Sequence, residues 1–487
     1  MPIGLRSLVL AILLCVFTAS VADAATFTVT KTADTNDGTC DADCSLHEAI
    51  VAANASVGPH TVAFNIPIGA GAAVITLGQA LPIITRNDVT IDGGTQTTNN
   101  GNTNPVILGT GGNVGVDALP LPTVAGPEIE IRDGAGLAHG IRIQANNVTV
   151  RGVAMLGFGA ADNEGAIRID SGFTGALVED NVLGSTATSF SDPGAALRNY
   201  SGVTSDGADN GTIQNNLMGF GHRGVFVVGG SSIWTVEGNE IVDHDVASTD
   251  GDGIALSDSS SITVRGNLIT GSSSQGFVVT NSTLTNFVNN TVTGNGVGST
   301  TAVAQSAGIT MRSTASSTTI DRNIVHDNYG AGIQVNDGAT GTVITQNSFA
   351  GNGTVAARST IAVTDQIGID LNISGDNNNL GTPDYFSVND QADTLQDFPI
   401  LETATISGGN LTLTGWSKLG ATIEVFIAAP DPHGFGEGET YIGTFVEGVL
   451  DTDPGTSDYS GLINGLDQGA DVNASRFSFT VPTPAGV

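Results

Sequence analysis

Seven segments of the chain repeat one six-residue pattern: an apolar residue, two polar or small residues, Asn, any residue, then a second apolar residue. The asparagines are Asn181, Asn216, Asn239, Asn267, Asn290, Asn323 and Asn347, with gaps of 35, 23, 28, 23, 33 and 24. A second pattern alternates with the first, a Gly followed by apolar residues at every other position. Examples are Gly140-Ile141-Arg142-Ile143, Gly224-Val225-Phe226-Val227, Gly253-Ile254-Ala255-Leu256, Gly308-Ile309-Thr310-Met311 and Gly332-Ile333-Gln334-Val335. Period-two alternation is the signature of a strand, and a unit of about 23 residues cannot bury a core alone, so it must stack on its neighbours. Asn tolerates the left-handed conformation of a sharp corner. Identical amides about 4.8 Å apart can also bond in a ladder along the stack. The expected architecture is all-β, a parallel β-helix with insertions in the longer repeats. An antiparallel sandwich array would leave the recurrence of Asn unexplained. About ten coils at that spacing make a rod of roughly 50 Å.

Composition agrees. The 487 residues include 66 Gly, which suits frequent turns, and only 5% aromatics. Acidic residues number 48 against 15 basic ones, a formal net charge of -33. Such a charge repels nucleic acid and anionic membrane surfaces. It suits an exported protein kept soluble by self-repulsion, and calcium, which prefers carboxylate oxygens.

The N-terminus reads as a secretory signal: Arg6, an apolar stretch over residues 8–20, and the small residues Ala22 and Ala24 at the cleavage positions. The stretch is too short to span a bilayer, and no later segment is long and apolar enough to do so. Cleavage is expected after Ala24, which leaves two cysteines, Cys40 and Cys44, in an oxidising compartment. A disulfide between them is expected; the alternatives are free thiols, or zinc with His47 as a third ligand. Residues 26–32 alternate as a strand. Ser45 and Glu48 form a capping box for a short helix with Leu46, Ala49, Ile50 and Ala53 on one face.

The run Thr32-Ala33-Asp34 through Cys40, followed by Cys44-Ser45-Leu46-His47-Glu48-Ala49-Ile50, resembles the CSLREA domain that begins many exported bacterial β-helix proteins. His47 stands where that family usually carries Arg. The resemblance implies a right-handed, pectin-lyase-like β-helix whose first coil is closed by this segment, as a solenoid end with bare strand edges requires. Val89-Thr90-Ile91 reads as an early, degenerate coil, and residues 95–127, rich in Asn, Gly and Pro, as a loop or irregular coil.

After Leu371 the repeat stops. Residues 376–393 are polar, and from Leu395 separate alternating strands follow at 411–416, 423–428, 441–446 and 477–481. These predict a small antiparallel β-sandwich. Leu395-Gln396-Asp397-Phe398-Pro399 and Gly434-Phe435-Gly436-Glu437-Gly438 are similar to the tail of the same family. The expected division is a signal peptide (1–24), a capping domain (25–75), the parallel β-helix (76–375), a linker (376–394) and the sandwich (395–487). Since members resembling this tail usually continue into a further strand, the tail is expected to be truncated or marginal.

No nucleophile elbow, zinc motif or P-loop occurs. One region concentrates the groups that β-helix enzymes use. Asp243-His244-Asp245 precedes Asp250-Gly251-Asp252-Gly253, and the previous coil brings His222 and Arg223 before Gly224. If the glycines stack, Arg223 lies beside Asp252. Asp250, Asp252, His244 and Arg223 are therefore the candidate catalytic residues, able to run acid–base chemistry on a glycosidic bond. Residues 250–256 are faintly similar to the aspartate motif of polygalacturonases, whose other motifs are missing. The bland reading is a solvated acidic turn. Arg142, Arg168 and Arg198 form a second candidate, an outward ladder for an anionic glycan, against local pairing with Asp133, Asp170 or Glu179. Calcium candidates are the loops 34–43, 376–393 and 451–458. The sequence reading favours a secreted or cell-surface scaffold for adhesion or glycan binding. The alternative is a polysaccharide lyase, hydrolase or epimerase with a carboxylate site on the β-helix.

Overall fold

A computed structural model describes residues 24–245, 251–298, 306–336, 338–358, 363–364, 366–372, 399–430, 436–449 and 475–484. Among them the chain winds into three parallel sheets of eleven, nine and ten strands. From His139 to Ala350 each coil gives one strand to each sheet. In one coil these are Arg223–Val228 in the second sheet, Thr235–Glu237 in the first and Glu240–Val242 in the third. Successive coils pair in parallel register: Val225 lies on Ile254, Ile254 on Phe277 and Phe277 on Ile309. The inward side chains form one continuous apolar core from Val29 to Phe349. Ile254 is fully buried within it.

The asparagine column holds. The Nδ2 of Asn181, Asn216, Asn239, Asn267, Asn290 and Asn323 each donates to the Oδ1 of the next Asn at 2.9–3.1 Å, ending on Asn347. The corner itself differs from the expectation. The left-handed residue is the one before each Asn: Asp180, Asn215, Gly238, Gly266, Asn289, Arg322 and Gln346. The ladder Asn is instead bound on both sides, by amides of the neighbouring rungs and by backbone carbonyls. A second amide row lies five residues further on, where Asn295, Asn328 and Asn352 bond in the same way.

The stacked glycines have a packing reason. A Cβ built on Gly224 would come within 2.6 Å of Gly253 O, and one on Gly253 within 2.6 Å of Gly276 O. Only a residue without a Cβ lets adjacent coils approach so closely.

Both ends are covered. At the N-terminal end, helix Leu46–Ala55 has both bonds of the Ser45–Glu48 capping box and buries Leu46, Ala49, Ile50 and Ala53. Cys40 and Cys44 are joined in a disulfide beside it. At the far end stands a sandwich of a three-stranded sheet (Ile400–Ser407, Asn410–Ser417, Ser475–Pro482) and a hairpin (Thr422–Ala429, Glu437–Val446). Ile423, Phe477 and Phe479 fill its core. The hairpin caps the solenoid: Glu437 accepts from Asn352 N (3.0 Å) and Nδ2 (2.8 Å), replacing the next Asn of the second row.

Of residues 95–127, expected as a loop or irregular coil, the first six lie instead in a short helix, Gly94–Asn100, and residues 101–127 run along the outside of the third sheet. Leu108 and Val124 cover Ala154, Val182 and Leu217, and Asp117 reaches Asn289 and Arg322 several coils away. The scattered apolar residues of this Asn- and Gly-rich stretch dock it onto outward apolar positions.

Candidate functional site

The second sheet stacks Ser201 on Arg223 and Arg223 on Asp252. This register brings the residues just before each strand together across three coils. His222 meets Tyr200 with ring centroids 4.6 Å apart, and its Nδ1 lies 2.9 Å from Asp245 Oδ2. A carboxylate cannot donate, so in the neutral imidazole Nδ1 carries the proton and Nε2 holds the lone pair. Arg223 Nη1 donates to Asp162 Oδ1 at 2.7 Å, and Tyr200 OH donates to the same oxygen at 3.0 Å. The Arg223 guanidinium sits 4.5 Å over the Phe226 ring. Its Nε is buried without a hydrogen bond, 3.8 Å from Asp252 Oδ2.

Environment separates the groups. The Arg223 hydrogen bond holds Asp162 below the usual carboxylate range, against a smaller push from burial. Burial, aided by the Asp162 bond, pushes Tyr200 up to about 12, so its phenol stays protonated. Asp252 is 8% exposed, and burial raises it against the pull of Arg223. Its Oδ1 accepts from Gln275 N at 3.2 Å.

Of the expected catalytic residues, Arg223 and Asp252 meet as adjacent rungs. Asp250 lies outside the described residues. His244 is corrected: it points inward, 1% exposed, with Nδ1 3.2 Å from Gly221 O. The left-handed backbone of Asp243 and Asp245 on either side turns its ring under Gly224. Burial lowers its pKa to about 4. Its place beside the site is taken by His222. Tyr200 and Asp162 were missed, although Tyr200 stands two residues before Gly202 just as His222 stands two before Gly224.

The arginine ladder is only half a ladder. Arg142 pairs in register with Arg168, but the next rung is Thr204. Arg198 is corrected: it caps the short 3-10 helix Ala195–Leu197 and pairs with Asp192 at 2.6 Å. Asp170 neutralises both other arginines, at 2.7 Å from Arg142 and 2.6 Å from Arg168, and Asp206 adds a further contact to Arg168 at 2.6 Å. In loop 34–43 the acids bind backbone: Asp34 accepts from Gly78 and Gln79, Asp37 from Thr39 and Asp41 from Asp43. Among the described residues no three His, Cys, Asp or Glu side chains converge as metal ligands, and no helix is long and apolar enough to cross a membrane. Loops 376–393 and 451–458 lie outside the described residues.

The family profile described as a right-handed β-helix region matches residues 133–314 and 201–380, together just over half the chain. No curated protein matches it. Solved structures similar to it include the periplasmic alginate epimerase AlgG, with 14% identity over 46% of this chain and 51% of that one (TM-score 0.30). Another is the A-module of the Azotobacter vinelandii mannuronan C-5 epimerase AlgE6, with 14% identity over 67% and 96% (TM-score 0.35). A third is DFA-IIIase from Arthrobacter chlorophenolicus A6, with 12% identity over 51% and 67% (TM-score 0.29). The chain thus spans about half the length of the first of these.

Proposed function

We propose, for a chain that belongs to the right-handed β-helix family, that the cluster around His222 removes the proton beside the carboxylate of a uronic acid unit in a polysaccharide, as a lyase or epimerase does. The observation that carries this reading is the His222–Asp245 pair standing against Tyr200 and Arg223 on adjoining coils. Asp245 fixes the imidazole tautomer, so Nε2 is the base. Arg223 is the cation for the substrate carboxylate. Asp162, which now occupies it, has a side chain 67% exposed against 17% for Arg223, so the carboxylate is the partner open to solvent. A substrate carboxylate can therefore replace it. The electron pair of the broken C–H bond moves into that carboxylate, where Arg223 offsets the added charge. Tyr200, held protonated, then donates. In elimination its proton goes to the leaving glycosidic oxygen as the bond to the neighbouring ring carbon breaks. In epimerisation the Tyr200 proton is added to the same carbon from the opposite face, while His222 keeps the one it removed.

Hydrolysis is less well served. It needs two carboxylates free to act on one bond, whereas Asp162 is bound to Arg223 and Tyr200, Asp245 to His222, and Asp252 is buried. Export is part of the proposal, supported by the Cys40–Cys44 disulfide, which suits an oxidising compartment, and by the CSLREA-like head. The test is a panel of uronate polymers (mannuronan, polyguluronate, homogalacturonan, glucuronan) followed by ultraviolet absorbance for unsaturated ends and by proton NMR for inversion. Turnover that disappears in His222→Ala supports the reading. New reducing ends without unsaturation would replace it with hydrolysis. Binding without turnover would favour the glycan-binding scaffold.

A further inference from the structure

Asp245, the partner of His222, sits on a costly turn. Asp243 and Asp245 both have φ 53, in the left-handed region, on either side of the buried His244. Non-glycine residues there persist only where their surroundings over-determine them. The local bonds are Asp243 N to Thr270 O (2.9 Å), Asp245 N to Gly221 O (2.6 Å) and Ser273 N to His244 O (2.9 Å), and the Ser273 hydroxyl donates to Asp245 O.

A residue more than a hundred positions away adds to these bonds. After Asn352 the chain turns back along the solenoid, with Val355 and Ala357 packed on Val297 and Tyr329. Arg358 N donates to Val297 O at 2.6 Å. Its Nη2 donates to Asp243 Oδ1 (2.7 Å) and Gly271 O (2.7 Å), and its Nη1 to Ser273 Oγ (3.3 Å). One guanidinium thus holds the carboxylate at the start of the turn and the hydroxyl that holds its end.

We infer that Arg358 is a positioning residue that keeps Asp245 in hydrogen-bonding contact with His222, so that the far coils of the solenoid set the geometry of the base. It touches none of the groups assigned to the substrate. Its catalytic meaning rests on the proposed proton abstraction, but its effect on the His222–Asp245 pair does not.

The test reads the pair directly. In protein labelled with 15N at histidine, the hydrogen-bonded Nδ1 proton of His222 should be visible in the wild type. It should be lost in Arg358→Ala, partly restored in Arg358→Lys and unaffected in Arg265→Ala, which removes a surface pair with Glu237. On a uronate polymer that is turned over, Arg358→Ala should lower kcat at least tenfold and leave KM within twofold. If Arg358→Ala does not fold, Ser273→Ala removes the hydroxyl that joins Arg358 to Asp245 O and should weaken the same resonance. An unchanged resonance in these variants, or none in the wild type, overturns the inference. A resonance that depends on Arg358 in a protein that turns over no uronate upholds it and rejects the proposed reaction.

Discussion

Replacing Asn267 with Ala removes a rung from the middle of the amide ladder. Its Oδ1 accepts from Asn239 N at 2.9 Å and from Asn239 Nδ2 at 3.0 Å. Its Nδ2 donates to Val236 O, Arg265 O and Asn290 Oδ1. All of this lies in a fully buried position. The variant strands the buried backbone N–H of Asn239, removes one bond of Asn239 Nδ2, which keeps Ile213 O and Glu237 O, and deprives three acceptors of one bond each. At about 1–3 kcal/mol for the stranded donor and about 0.5–1.5 kcal/mol for the lost side-chain bond, the cost is about 1.5–4.5 kcal/mol. Among the described residues Asn181, the first rung, accepts from Val153 N and from no earlier amide, so Asn181→Ala strands one donor without losing a rung-to-rung bond from a preceding Asn and should cost less, about 1–3 kcal/mol. Since stacked coils can open in parts, the assay is hydrogen exchange at the amides of the affected coils, with urea unfolding alongside. Exchange should accelerate on both sides of residue 267, and over a shorter stretch at residue 181. Equal costs for the two variants, or a cost below about 1 kcal/mol for Asn267→Ala, would refute the ladder as a cooperative element.

Ile254→Asp places a charge without a partner in the core, and the melting temperature should fall sharply; an unchanged value would mean that residue 254 faces outward. His244 titrates at 6.5 when unfolded and about 4 when folded. The unfolded chain therefore binds more protons between those values, and stability is lost as pH falls from 6.5 to 4, by about 3 kcal/mol. His244→Leu should flatten that dependence in urea titrations, and a profile unchanged in the variant would assign the effect elsewhere. Glu437→Ala removes the acceptor of Asn352 N and Nδ2, so amide exchange should rise in the last coil and not around Asn267; exchange unaltered at Asn352 would show that the sandwich does not cap the ladder.

The sequence carried the solenoid because its physics is repetitive. The inward apolar residues recur along the solenoid and the ladder amides in seven successive coils from Asn181 to Asn347, so even gaps of 35 residues do not hide their register. What it concealed depends on single conformations. The ladder Asn was legible as a corner marker, yet the left-handed residue is its predecessor, and Asp180, Arg322 and Gln346 give no common side chain to recognise. The second amide row was within reach, since Asn295, Asn328 and Asn352 each follow a ladder Asn by five residues. At the site, the Arg223–Asp252 rung followed from stacking the glycines. His244 was misplaced because two flanking aspartates suggest a solvated turn, while their left-handed backbone folds the ring inward. Arg198 was misplaced because the insertion after Leu183 shifts the register. Asp162 comes from a loop of an earlier coil, and only the three-dimensional stacking brings it to Arg223.

The most direct test of the central claim is solvent exchange. Uronate polymers are incubated with the protein in deuterium oxide, and the ring hydrogen beside the carboxylate is followed by NMR. Proton abstraction by His222 predicts that deuterium enters that position, or that the hydrogen disappears into an unsaturated product, in the wild type and not in His222→Ala. Chain cleavage that leaves the hydrogen in place, or exchange undiminished in His222→Ala, would contradict it.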